Sequence, residues 1–115
     1  MITRIKTGPR MSQAVIHGNT VYLAGQVASN RSADVAGQTR EILAAIDGLL
    51  AEAGTDKSHV LAATVYLTDM STFDEMNAVW ERWIAPGCAP ARATVGAPLA
   101  SSAYRVEIVI IAARP

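Results

Sequence analysis

The sequence predicts an α+β fold in which two helices cover one face of a mixed sheet of about six strands. Short segments rich in β-branched residues predict strands, and two longer segments carry apolar residues at helical spacing. In chain order these read strand, strand, strand, helix, strand, helix, strand, strand. Two helices against one sheet give two layers, and residues 1–115 are expected to form one domain.

Composition and charge exclude several classes of protein. The 10 basic and 10 acidic residues balance, which weighs against nucleic acid as a partner. Hydrophobic residues make up 50% of the chain, which disfavours disorder, and no apolar run reaches membrane-spanning length. The first residues do not resemble a signal peptide, and the single cysteine, Cys88, cannot form an intrachain disulfide. We therefore expect a reducing cytoplasm and no membrane contact.

Three strands are expected before the first helix. A short one covers residues 2–5. Residues 13–17 and 20–24 are rich in Val, Ile and Tyr, and the pair Gly18-Asn19 between them tolerates the positive φ of a tight turn. These two segments therefore predict a hairpin, and a polar loop follows it.

The first helix is expected to follow Asp34, whose side chain can cap its amino end. Gly54 stands where helices commonly end on a left-handed residue. Between them the apolar residues form one stripe, which consists of Val35, Ile42, Ile46, Leu49, Leu50 and Ala53.

The second half of the chain predicts a strand, a helix and two more strands. Residues 59–68 alternate as one regular strand. Residues 71–74 resemble a capping box with Asp in place of Glu, and the helix they open ends at Pro86-Gly87. Strands follow at 91–97 and 104–113, and the last is apolar on both faces, as a central strand should be. The sheet face without helices is expected to meet another subunit.

Glu107 is a carboxylate in the most apolar strand. It lies between Val106 and Ile108, and burying such a group without a partner costs several kcal/mol. It should therefore be paired or functional. The structural alternatives are an ion pair, for which Arg105 points to the same face, or a partly exposed strand end.

Arg92 is the one large side chain in a strand of small residues. It shares a face with Thr94, so its guanidinium has room to bind a carboxylate or phosphate in a bidentate manner. An ordinary exposed arginine is the alternative. Asn77 lies one helical turn from both Phe73 and Trp80, and a hydrogen bond to a neighbouring strand would satisfy its amide. Trp80 is expected in the core rather than as a stacking platform.

The sequence offers no metal or cofactor site. His17 and His59 lack ligand spacing, and Gly25-Gln26 is too isolated to be a phosphate loop. Neither Lys6 nor Lys57 lies in an apolar stretch that would favour a Schiff base.

Several short motifs together resemble a known family. They are Ser12-Gln13-Ala14-Val15, Tyr22-Leu23-Ala24-Gly25-Gln26, Pro90-Ala91-Arg92-Ala93-Thr94-Val95 and Val106-Glu107-Ile108. Over residues 12–112 the chain resembles the RidA/YjgF family of reactive-intermediate deaminases.

The resemblance implies a chorismate-mutase-like fold and a homotrimer with sites at subunit interfaces. It also implies cofactor-free hydrolysis of enamine or imine intermediates of the 2-aminoacrylate type to 2-oxo acids and ammonia. In that family the arginine of the motif binds the substrate carboxylate and the glutamate is assigned to the attacking water. These roles would fall on Arg92 and Glu107.

The resemblance assigns four further residues to the pocket. Asn77 matches a recurrent helix-two asparagine, and Thr94 stands where many members have cysteine. Met11 and Ala24 stand where many members have tyrosine and serine. The lost hydroxyls and thiol bear on the substrate range rather than on the reaction class.

Other functions remain open from the sequence. A non-catalytic module that binds a 2-oxo acid or amino acid and regulates a partner enzyme would use Arg92 equally well. RNA cleavage, attached to some relatives, conflicts with the zero net charge. A chorismate mutase would need several cations around a dicarboxylate, and only Arg92 and Arg105 are candidates.

Overall fold

The structure is a computed structural model that describes residues 1–115, and it contains six strands and two α-helices in the predicted order. The strands are β1 (Ile2–Ile5), β2 (Ala14–His17), β3 (Thr20–Leu23), β4 (Val60–Leu67), β5 (Ala91–Gly96) and β6 (Val106–Ala113). The helices are α1 (Val35–Glu52) and α2 (Phe73–Trp83), and short 3-10 turns at Lys57–His59 and Met70–Thr72 precede β4 and α2. Neither helix is long and apolar enough to cross a membrane.

All six strands form one mixed sheet in the order β1-β2-β3-β6-β4-β5. Only β4 and β5 are parallel, because α2 carries the chain back across the sheet between them. The predicted mixed sheet of an α+β fold is therefore confirmed. β6 is central, as its apolar character indicated, and β5 is an edge strand.

The expected hairpin and the limits of α1 are confirmed. Gly18 adopts a φ of 61°, and His17 pairs with Thr20 across the turn. The Asp34 side chain accepts a hydrogen bond from the Gly37 amide at 2.8 Å and caps α1. Gly54 follows the helix with a φ of 83°, where any other residue would be strained.

The start of α2 differs from the predicted capping box. Thr72 makes no side-chain bond to the helix, and its hydroxyl donates instead to the Asp69 carbonyl. Asp69 caps the preceding 3-10 turn by accepting from the Ser71 amide at 2.9 Å. The chain thus enters α2 through a capped turn. It leaves α2 at Trp83, before Pro86, because Ile84 is already extended.

The core lies between the helices and one face of the sheet. Its largest fully buried side chains come from both layers and are Ile42, Ile46, Leu50, Leu67, Met76, Ile108 and Ile110. The register of β4 shifts between Val60 and Ala62, so Val60 joins this core and Leu61 is exposed. The expected regular alternation of this strand is therefore wrong at its first residues.

The opposite face of the sheet carries no helix. Across it Thr64 pairs with Val109, and Tyr22 pairs with Ile111. These side chains are partly or largely exposed, although three of the four are apolar or aromatic. We call this surface the open face.

Candidate functional site

Arg92 lies on the helix-facing side of β5. Its partner in β4 is Ala63, which is buried against the helices. The guanidinium carbon lies 5.2 Å from the centre of the Trp80 ring and 5.9 Å from that of Phe73. Both rings therefore support the cation through cation–π contacts. Trp80 is buried, as expected, and it also contacts the Arg92 guanidinium, which its sequence position did not indicate.

The Arg92 guanidinium makes no hydrogen bond and no ion pair within the chain. Burial lowers the pKa of Arg92, and the charge of Glu81 opposes this shift. Arginine nevertheless stays protonated in proteins, so a half-buried cation with a planar set of donors is left without an acceptor. Such a group is suited to bind an anion with two oxygens.

Two further polar side chains without partners belong to the same side of the sheet. Thr94 follows Arg92 on the same face of β5, and its Oγ1 is buried without a hydrogen-bond partner. Asn77 lies between Phe73 and Trp80 on α2, is half-buried, and makes no hydrogen bond. The expected hydrogen bond from Asn77 to a strand is therefore wrong. We use the name arginine cluster for five residues, which are Phe73, Asn77, Trp80, Arg92 and Thr94.

Glu107 lies on the open face, where it pairs with Tyr66 of β4. Its carboxylate packs against Gly25, and a Cβ atom built on Gly25 would lie 2.9 Å from the Glu107 Cδ. Glu107 makes no ion pair, because Arg105 is engaged elsewhere. The Arg105 Nε donates to the Ala33 carbonyl at 3.2 Å. The ion-pair alternative for Glu107 is therefore wrong, whereas Glu107 is partly exposed near the start of β6, as the other structural alternative expected.

The other two predicted pocket residues lie in the first part of the chain. Ala24 is half-buried and directly precedes Gly25, which contacts Glu107. Met11 lies in the loop between β1 and β2, and its side chain is 49% exposed. Ala24 thus lies near Glu107, whereas Met11 points largely to solvent.

One chain does not bring Arg92 and Glu107 together. Arg92 shares the helix-facing side with Ala63 and Ile110, because these three residues are paired across the strands. Glu107 is three residues from Ile110 on β6 and therefore points to the opposite face. The sheet separates the two groups, so a site containing both needs two chains.

The cavities within the chain lie elsewhere. One of about 300 Å³ opens between α1 and α2, and another of about 350 Å³ lies beside α1 near Gln13 and Gln26. Neither is lined by Arg92 or Glu107. No three His, Cys, Asp or Glu side chains converge as metal ligands would.

Sequence reasoning missed the contribution of Gly25 and the aromatic support of Arg92. Gly25 follows a strand that ends at Leu23, and a glycine there is the usual sign that another group approaches the backbone closely. The spacing of Phe73 and Trp80 placed both on one helix face, but only the register of β5 shows that Arg92 lies above them.

Comparison with known proteins identifies the family. The family model described as Endoribonuclease L-PSP matches residues 1–114. A RutC family protein of Haemophilus ducreyi is 48% identical over 98% of this chain and 97% of its own length. The RutC family protein YoaB of Escherichia coli K12 is 46% identical over 97% of each chain.

A solved structure shows the same fold. The crystal structure of a YjgF family member from Neisseria meningitidis has a TM-score of 0.98 and 47% sequence identity, and the match covers 100% of this chain and 96% of that one. These matches point to the same family as the motifs around Arg92 and Glu107, and the solved structure has the same fold. The chain belongs to the YjgF/RutC family, whose family model carries the description Endoribonuclease L-PSP.

Proposed function

We propose that this protein is a cofactor-free deaminase that hydrolyses enamine and imine intermediates of the 2-aminoacrylate type to 2-oxo acids and ammonia. The observation that carries the proposal is the Arg92 guanidinium, which is half-buried, supported by two aromatic rings and free of any partner in the chain. A small 2-imino acid presents a planar carboxylate, which such a cation binds through two parallel hydrogen bonds.

The reaction needs only positioning, water and proton transfer. Arg92 holds the carboxylate by two parallel hydrogen bonds, which fixes the adjacent imine carbon. The enamine first tautomerises to the imine, and water then adds to the C=N carbon while Glu107 takes one of its protons. Glu107 returns that proton to the nitrogen, which gives a carbinolamine. It then takes the proton of the new hydroxyl group and passes it to the same nitrogen, so the C–N bond breaks and ammonia leaves as the C=O bond forms. One water is consumed for each 2-oxo acid and ammonia released.

The site would be assembled between chains of a homotrimer. This part of the proposal is supported by the positions of Arg92 and Glu107 on opposite faces of the sheet. It is also supported by the apolar character of the open face, which would be covered by a neighbour. One chain then contributes the arginine cluster, and the adjacent chain contributes Glu107 with Ala24 and Gly25.

Asn77 and Thr94 would complete the arginine half of the site. Both side chains lack hydrogen-bond partners, and a bound carboxylate has lone pairs left after the bidentate contact with Arg92. Met11 would contribute an apolar contact at the rim, where many members have tyrosine.

The test couples a dehydratase that releases 2-aminoacrylate to this protein and follows formation of the 2-oxo acid. We expect faster formation with wild type, and a loss of about 10²–10⁴-fold in kcat for Glu107→Gln, the usual contribution of a positioned acid–base group. Binding of a 2-oxo acid should be retained, because the amide keeps the shape of the side chain. If wild type binds the 2-oxo acid but never accelerates hydrolysis, the protein is the regulatory binding module instead.

A further inference from the structure

The groove between α1 and α2 has a floor that is apolar and aromatic. The cavity here measures about 300 Å³, and exposed residues of both helices, such as Arg40 and Arg82, lie at its opening. The apolar lining consists of Leu43 and Ala44 of α1 and of Val79 and Trp83 of α2. Leu43, Val79 and Trp83 are each at most 8% exposed, so the groove uncovers a small part of the core at its floor.

Trp83 is held in one orientation. Its Nε1 donates a hydrogen bond to the Asp47 Oδ1 at 3.0 Å. Its ring also lies 5.4 Å from that of Trp80, with the two planes tilted by 47°. A rigid indole is a preformed surface for stacking, because binding a ligand does not have to immobilise this side chain.

The rim of the groove is cationic. Arg40, Lys57 and Arg82 line it, against the single carboxylate of Asp47. None of the three cations makes an ion pair or a hydrogen bond within the chain. The Lys57 ammonium lies over the Trp83 ring, 5.7 Å from its centre. The indole engages one oxygen of Asp47 but leaves its charge, so the rim has three cations against one carboxylate and offers hydrogen-bond donors to an anion.

We infer that this groove binds a small organic anion that has a flat apolar body, of the class of aryl phosphates and aromatic carboxylates. The apolar body would lie on Trp83 and Val79, and the anionic group would reach Arg40 and Arg82 across the groove. The volume is at the lower end of that of ligand pockets, which limits the ligand to about one ring and its charged substituent. No residue of the arginine cluster lines this cavity, although Trp80 of the cluster contacts Trp83 at its floor.

Phenyl phosphate is the probe for the test, and tryptophan fluorescence is the readout. The chain has 2 tryptophans, Trp83 in the groove and Trp80 in contact with it. We expect saturable binding of phenyl phosphate with a Kd in the range of about 0.1–1 mM, and binding at least about tenfold weaker for inorganic phosphate or for benzyl alcohol, each of which offers only half of the recognised chemistry.

Three variants locate the site. Arg40→Gln and Arg82→Gln should each weaken phenyl phosphate binding about tenfold, the usual effect of losing one charged hydrogen bond. Ala44→Glu, at an exposed position that lines the groove, should abolish binding by filling the groove and adding a negative charge. The matched control is Arg10→Gln, which removes an exposed cation outside the groove and should bind as wild type does.

Clear outcomes would overturn the inference. It fails if no saturable binding occurs below about 10 mM, or if inorganic phosphate binds as tightly as phenyl phosphate. It also fails if Ala44→Glu binds normally. Loss of binding in Arg92→Ala together with normal binding in Arg82→Gln would assign the ligand to the arginine cluster instead. The imine hydrolysis assay is independent of each of these results.

Discussion

At the scale of single residues, the candidate chemistry rests on side chains that lack partners. Folded proteins satisfy nearly all of their buried polar groups, yet Arg92, Asn77 and Thr94 make no hydrogen bond although they are buried at least in part. Because all three lie on the same side of the sheet, one bound ligand could form hydrogen bonds with all of them. The sequence singled out each of these residues, but it could not show that their structural partners are missing.

Arg92→Lys and Arg92→Ala test the need for a forked donor. Lysine keeps the charge but cannot form two parallel bonds to a carboxylate, so both variants should lose about 30- to 1,000-fold in kcat/KM for imine hydrolysis. The melting temperature should change little, because the stack on Trp80 is worth only about 1 kcal/mol.

Steady-state kinetics and thermal melts on both variants are the measurement. Arg4→Ala is a matched control, since Arg4 is an exposed cation on β1 outside the arginine cluster and the groove. Wild-type kcat/KM in Arg92→Ala would show that the site is assigned wrongly.

Gly25→Ala tests the position of the Glu107 carboxylate. The added Cβ would lie 2.9 Å from Cδ and 3.2 Å from Cγ of Glu107, so the whole end of that side chain must move. Because misplacing a reacting group by about 1 Å can cost about 10²-fold, we expect kcat to fall by that order with KM little changed.

Gly48→Ala is the control for Gly25→Ala. A Cβ on Gly48 meets nothing within 4 Å, and alanine favours the helix. Activity should therefore stay at the wild-type level. Equal losses in the two variants, or an unaltered kcat in Gly25→Ala, would remove the role of the Gly25–Glu107 contact.

At the scale of elements, local chemistry predicted most of the fold. Turn and cap residues such as Gly18, Asp34 and Gly54 act on the backbone within a few residues, so the hairpin and α1 could be located from sequence. The bulge at Leu61 and the entry into α2 depend on tertiary contacts. Asp69 caps the turn before α2, and the expected capping box does not form. No local pattern shows which of these two caps the chain adopts.

The pH dependence of stability tests the Asp69 cap. Hydrogen bonds from the Ser71 hydroxyl and amide lower the pKa of Asp69 below its ordinary value of 3.8. A carboxyl whose pKa is lower in the folded state stabilises the fold above its unfolded pKa, and this contribution is lost as the pH falls through the folded value. Asp69→Ala should therefore melt below wild type at pH 7, and the gap should narrow below about pH 4.

Thermal melts of wild type, Asp69→Ala and Asp69→Asn across this range are the measurement. Asparagine still accepts from the Ser71 amide but does not titrate, so the difference between Asp69→Asn and Asp69→Ala should stay constant. A gap between wild type and Asp69→Ala that is the same at pH 7 and pH 3 would contradict the assigned cap.

At the scale of the whole molecule, the sheet separates the two charged groups on which the proposed reaction depends. The sequence pattern could assign faces within each strand, since alternation is local. It could not give the register between β4, β5 and β6, which places Arg92 beside Ala63 and Glu107 beside Tyr66. This register places the two groups on opposite faces of the sheet. The proposed mechanism therefore requires an interface between two subunits.

Mixing two inactive variants tests that requirement most directly. Arg92→Ala and Glu107→Gln are each expected to lack imine hydrolysis, and a mixed oligomer pairs an intact Arg92 from one chain with an intact Glu107 from its neighbour. Unfolding and refolding the two variants together in equal amounts should restore about a quarter of the wild-type activity, because both groups are intact at that share of randomly formed interfaces. Light scattering confirms that the oligomers have formed. If mixed oligomers form and remain as inactive as the separate variants, the site is not shared between chains and the proposed mechanism is wrong.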